Sequence, residues 1–117
     1  MGAVGPQTWD CSSFTQAAYA QIGVTMPRTA TAQRNWLAAG NGTRIQPGHE
    51  KPGDLIFWDS YLGPTKIGHV MIISNPATKT TIEARNTRAG VGHFSYANAS
   101  SHHIFEIWRV RKVAGPA

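Results

Sequence analysis

Cysteine is almost absent from this chain, which has one, Cys11. No internal disulfide can form, so folding does not depend on oxidation, and the thiol is either a small core group or a reactive one. No segment approaches the roughly 18 consecutive apolar residues of a membrane-spanning helix. The start, Met1-Gly2-Ala3-Val4-Gly5-Pro6, lacks the charged and then apolar stretches of a signal peptide. Export is therefore expected to depend on a parent protein or a delivery apparatus. Acidic residues are scarce, six Asp+Glu against eleven Lys+Arg, and the formal charge of +5 favours anionic partners in general. The basic residues are dispersed except for Arg109-Val110-Arg111-Lys112, and no basic run is interleaved with aromatics as a single-strand binder needs. No nucleic-acid partner is expected. Internal repeats and low-complexity segments are also missing.

What is present suits one globular domain over residues 1–117, with 41% hydrophobic residues and enough length to bury a single core. Residues 14–21 read as a helix, with Phe14, Ala17, Ala18 and Ile22 at apolar i, i+3, i+4, i+8 spacing and Gly23 as C-cap. A second, shorter helix is predicted over 28–37, capped by Thr29 or Thr31 and broken at Gly40-Asn41-Gly42-Thr43. Strands are predicted at 44–45, 55–58, 68–74, 80–84, 91–96 and 104–110, with loops at 61–66 and 85–92, a turn at 98–103 and a hairpin connection at 75–79. Helices first and an antiparallel meander afterwards make an α+β plan with the helices on one face of the sheet.

The chemistry begins at Trp9-Asp10-Cys11-Ser12-Ser13-Phe14. Asp10 is a preferred N-cap residue, which sets Cys11 in the first turn of the first helix. Unpaired backbone N–H groups and the positive end of the helix dipole favour an anion there, so a thiol at that place gains nucleophilic character. A cysteine nucleophile needs a base, and the base needs a group to orient it. Of the five histidines, His69 opens the strongest strand directly after Gly68, whose small size leaves room for a ring to reach a helix end. A hairpin centred near Ala77 sets His69 opposite Arg85, with Glu83 diagonal to it on the same face. A shift of two residues still leaves both on one face, within roughly 5 to 8 Å. Glu83 is the natural orienting group. His49, His93, His102 and His103 are expected to face solvent, and adjacent histidines without a cysteine or carboxylate at ligand spacing do not make a metal site. Neither metal nor cofactor is expected. Asp54 is read as structural, Trp9, Trp58 and Trp108 as core, Trp36 as a possible cleft edge, and Arg28 as a residue outside the catalytic set.

Five motifs run in order along the chain: Asp10-Cys11-Ser12-Ser13-Phe14; Met26-Pro27-Arg28-Thr29 with Gln33; Lys51-Pro52-Gly53-Asp54-Leu55-Ile56-Phe57-Trp58; Gly68-His69-Val70-Met71-Ile72-Ile73; and Thr81-Ile82-Glu83-Ala84. Together they resemble the NlpC/P60 family over nearly the whole chain. The resemblance implies a papain-like fold and a cell-wall peptidase acting on peptidoglycan stem peptides, typically at the bond between D-γ-glutamate and the diamino acid. It implies Cys11 as nucleophile, His69 as base and Glu83 at the third polar position, where most members carry His, Asn or Gln and some actinobacterial wall hydrolases carry Glu. Ser13 stands where the family usually has glycine, and the family's upstream Tyr-x-Trp-Gly stretch has no counterpart here. The chain is accordingly expected to be a catalytic domain excised from a longer, envelope-directed or secreted protein, and to act as a monomer. A CHAP-type amidase and a catalytically silent wall-binding module are the alternatives to the peptidase.

Overall fold

The computed structural model describes residues 11–60, 63–86, 90–97 and 104–111. Asp10, Trp9, His102, His103 and the predicted turn at 98–103 lie outside them. Helix α1 spans Cys11–Ala20 and α2 spans Ala30–Trp36, and a π-helical turn, Leu37–Asn41, leads into the sheet. Its strands are β1 (Gly42–Ile45), β2 (Leu55–Ser60), β3 (Gly63–Asn75), β4 (Thr80–Asn86), β5 (Gly90–Ser95) and β6 (Phe105–Val110). The helix-then-sheet α+β plan holds. Strands β2 to β5 form the expected antiparallel meander, but the sheet order is β1-β6-β2-β3-β4-β5, because the last strand returns to insert between β1 and β2. Two strands also run longer than their local sequence suggests. β3 begins at Gly63, within the predicted loop, and β4 continues to Asn86.

Strands β2, β3 and β6 carry buried side chains on both faces. Leu55, Phe57, Val70, Trp108 and Val110 face Tyr19, Val24, Met26, Ala30 and Leu37 from the helical layer. Ile56, Met71, Ile73 and Ile107 belong to a second cluster with Ile45 and Tyr96. Alternate side chains thus go to opposite cores, which is why Leu55-Ile56-Phe57 and Val70-Met71-Ile72-Ile73 are continuous apolar runs rather than alternating ones. Tyr96 is held in the second cluster by its hydroxyl, which donates to Glu50 at 2.8 Å.

The first helix does not bury the stripe its periodicity suggests. Ile22 is 61% exposed, while Cys11, Ser12, Ser13, Thr15 and Tyr19 are buried. The helix packs against β3 and β4, and buried hydroxyls along it are hydrogen-bonded. Thr15 Oγ1, for example, donates to the Cys11 carbonyl at 2.9 Å. Gln33 fastens α2 to the same turn. Its Nε2 donates to the carbonyls of Ser12 at 3.0 Å and Pro27 at 2.9 Å, and its side chain is wholly buried. Thr29 is the N-cap of α2, accepting from the Ala32 amide. At the far end of α1 the Tyr19 hydroxyl donates to the Gly53 carbonyl, which ties the helix to the turn that starts β2.

Candidate active site

Cys11 opens α1 with its side chain almost wholly covered, and Sγ lies 3.9 Å from the Gly68 carbonyl oxygen on β3. Gly68 is a bulge. On β2 and β3 Trp58 pairs with His69 and Asp59 with Ile67, so Gly68 has no partner of its own across the ladder. An extra residue of this kind bends the strand and re-aims the next side chain. Here it turns His69 to the end of α1, where the imidazole comes under the influence of the Cys11 side chain.

The orienting contact comes from the next hairpin. Strand β4 pairs with β3 through Ile72↔Ile82 and Ile73↔Thr81, so one step on Glu83 is level with Met71 and diagonal to His69 on the same face. Nε2 of His69 and Oε1 of Glu83 are 2.7 Å apart. With Nε2 engaged by the carboxylate, Nδ1 is the ring nitrogen left for the thiol. The His69 side chain is 12% exposed and that of Glu83 is fully covered. Burial by itself disfavours the imidazolium, but the hydrogen bonds and charges of Cys11 and Glu83 outweigh it, and the His69 pKa is raised to about 9. The ring is set to be protonated at neutral pH beside a sulfur and a buried carboxylate.

Three further groups shape the site, and sequence reasoning gave none of them a role in it. Trp58, read as core, packs against the second cluster and stacks on His69, with centroids 5.5 Å apart and 23° between the planes. Thr81 donates its hydroxyl to Oε2 of Glu83. Its signal was available, since residues i and i+2 of a strand share a face. Arg28 reaches back to the first turn of α1, where its Nη1 donates to Ser12 Oγ at 2.8 Å. Trp36 packs against the helical cluster. His49 and His93 are exposed. Among the described residues no three His, Cys, Asp or Glu side chains gather as metal ligands. A surface cavity of about 250 Å³ lies at the other end of β2 from Trp58, between Tyr19, the 51–54 turn and Arg109. Asp54 occupies that end, accepting bidentately from Arg109 at 2.9 and 2.8 Å, which agrees with its reading as structural.

The model of the NlpC/P60 family matches residues 1–109. The chain is 42% identical over 67 residues to a probable endopeptidase p60 of Listeria innocua, a match covering 57% of this chain and 13% of that protein. It is 36% identical over 90 residues to the gamma-DL-glutamyl hydrolase of Bacillus subtilis, covering 69% of this chain and 20% of the relative. Among solved structures it resembles the peptidoglycan hydrolase RipB of Mycobacterium tuberculosis, with a TM-score of 0.66 and 28% identity over 86% of this chain and 44% of that one. The chain therefore spans a small part of the length of the curated relatives it matches.

Proposed function

The chain belongs to the NlpC/P60 family, and we propose that it is a cysteine endopeptidase of peptidoglycan that cleaves a stem-peptide amide through a Cys11 thioester. The observation that carries this reading is the connected line from Cys11 to His69 to Glu83, with the nucleophile at a helix N-terminus and the base held by a buried carboxylate. Cys11, as thiolate, attacks the amide carbonyl while His69 carries the proton. The tetrahedral oxyanion is held by backbone N–H groups of the first turn of α1. His69 gives its proton to the leaving amine, the C–N bond breaks, and a thioester forms. A water then enters, His69 takes its proton, and hydrolysis releases the acid and restores Cys11. Glu83 holds the imidazole tautomer and stabilises the imidazolium in both halves of the cycle.

The bond proposed is the one between D-γ-glutamate and the diamino acid, a choice supported by likeness to a protein named for γ-glutamyl hydrolysis. A net charge of +5 suits an anionic wall. The chain is proposed to be the catalytic domain of a longer protein acting at or outside the cell envelope, in keeping with the small fraction of its relatives that it covers.

The test is mass spectrometry of purified muropeptides incubated with the chain and with its Cys11→Ala variant. The expected result is a cut between glutamate and the diamino acid that falls by several orders of magnitude without Cys11. Cleavage that survives in Cys11→Ala overturns the mechanism. Products split between sugar and peptide identify an amidase, and wall binding without any product identifies a silent module.

A further inference from the structure

Buried near the start of β4, Thr81 is a residue whose side chain would be cheaper as valine if packing were its only role. It is wholly covered and pairs with Ile73 on β3 and with Phe94 on β5. A central strand position of this kind favours an apolar β-branched side chain, and a hydroxyl there costs stability unless it is hydrogen-bonded. The Thr81 hydroxyl has one proton and two acceptors within reach, Oε2 of Glu83 and the Phe94 carbonyl at 3.2 Å. An ionised carboxylate is the stronger acceptor, so the proton goes to Glu83 whenever Glu83 is charged.

We propose that Thr81 is the positioning residue of Glu83, fixing its carboxylate from the side opposite His69 and keeping it charged within the buried site. Glu83 is then held at two points, with Oε1 against Nε2 of His69 and Oε2 against the threonine hydroxyl. The carboxylate cannot rotate away from the imidazole without giving up a charge-assisted bond. A buried carboxylate stays ionised only when such donors replace water. Thr81 itself is held by ladders on both sides, and its branched Cβ restricts χ1, so the donor is in place before substrate arrives. The titratable groups acting on His69 are Cys11 from α1 and Glu83 from β4, while β2 contributes the Trp58 ring. Thr81 acts on the base through one of these alone. This assignment rests on the reading of Cys11 and His69 as an acid-base pair.

The test compares the unaltered chain with Thr81→Val, which keeps the shape and removes the donor, and with Thr81→Ser, which keeps the donor. Two quantities are read: the titration midpoint of the His69 ring by NMR, assigned with His69→Gln, and kcat and KM on muropeptides. Thr81→Val is expected to lower the His69 midpoint by about one unit and kcat by about tenfold, with KM nearly unchanged, and Thr81→Ser is expected to restore both. Thr81→Ala serves in place of the valine variant if that one does not fold. An unchanged midpoint and kcat in the donorless variant overturns the proposal, and so does a serine variant as impaired as the valine one. The NMR measurement needs no substrate. If the unaltered chain cuts no muropeptide, the peptidase reading fails while the role of Thr81 is still decided.

Discussion

The indole of Trp58 lies stacked on the imidazole of His69, 5.5 Å away and tilted by 23°, on directly paired positions of β2 and β3. The strand ladder thus sets the plane of the imidazole. A ring whose plane is fixed presents Nε2 to Glu83 and the opposite nitrogen to Cys11 together, whereas a free ring rotates about χ2 and satisfies one at a time.

Removing this platform is therefore expected to harm catalysis more than substrate binding. Trp58→Ala is predicted to lower kcat on muropeptides by about tenfold, and Trp58→Phe, which keeps an aromatic face, by much less. Steady-state kinetics of the two variants check this. Equal effects of both would show that the indole acts through bulk packing and not through the stack.

The pH dependence follows from His69. Its folded pKa is raised from 6.5 to about 9, after burial has been outweighed by Cys11 and Glu83. Turnover is expected to hold through neutrality and fall as pH passes about 9, where the imidazolium is lost. Stability follows the same sign. The protonated ring is favoured in the folded state, so its contribution is full below about 6.5 and disappears as pH rises through about 9. Thermal melts from pH 6 to 10 should show this decline, and His69→Gln should flatten it.

At the third position, charge and geometry can be separated. Glu83→Gln keeps an oxygen that can accept from Nε2 but removes the anion, and Glu83→Ala removes both. The glutamine variant is expected to stay active, with its high-pH limit moved to lower pH. The alanine variant should lose about 100-fold or more in kcat. Full pH–rate profiles of both variants would show the difference, and a glutamine variant as weak as the alanine one would rule out the separation.

Far from the thiol, Asp54 and Arg109 join the start of β2 to the end of β6. Asp54 is buried, accepts from both Nε and Nη2 of Arg109, and also accepts from the Lys51 amide at 2.8 Å. Arg109→Met leaves that carboxylate buried beside a neutral chain, a change that costs about 3 kcal/mol when one member of a covered pair is removed. A drop in Tm of several degrees is expected, with kcat per folded molecule unchanged. Parallel melting and kinetic measurements test both halves.

Much of this site was legible in the chain because its geometry is local. A cysteine at the start of a helix needs only the cap pattern around it. The His69–Glu83 relation needs only the period of two and the length of one hairpin, and the observed register through Ile72↔Ile82 keeps the diagonal that the hairpin length implies. The two-sided burial of β2 and β3 is written in their continuous apolar runs, and the order of five motifs pointed to the family whose model matches residues 1–109.

Tertiary structure decided what depends on partners distant in sequence. The Gly68 bulge exists only against β2, and the Trp58 platform only once that ladder is closed. The insertion of β6 between β1 and β2 has no local signal, because pairing across more than 40 residues leaves no trace in the spacing of either strand. The buried face of α1 was misjudged from periodicity for the same reason. Ile22 lies past the end of α1, while Ser12, Ser13 and Thr15 are covered on a helix that packs against β3 and β4. Sequence set which side chains share a strand or a turn; the folded sheet and helices determined which of those sets face one another, since only long-range packing brings them within hydrogen-bond reach.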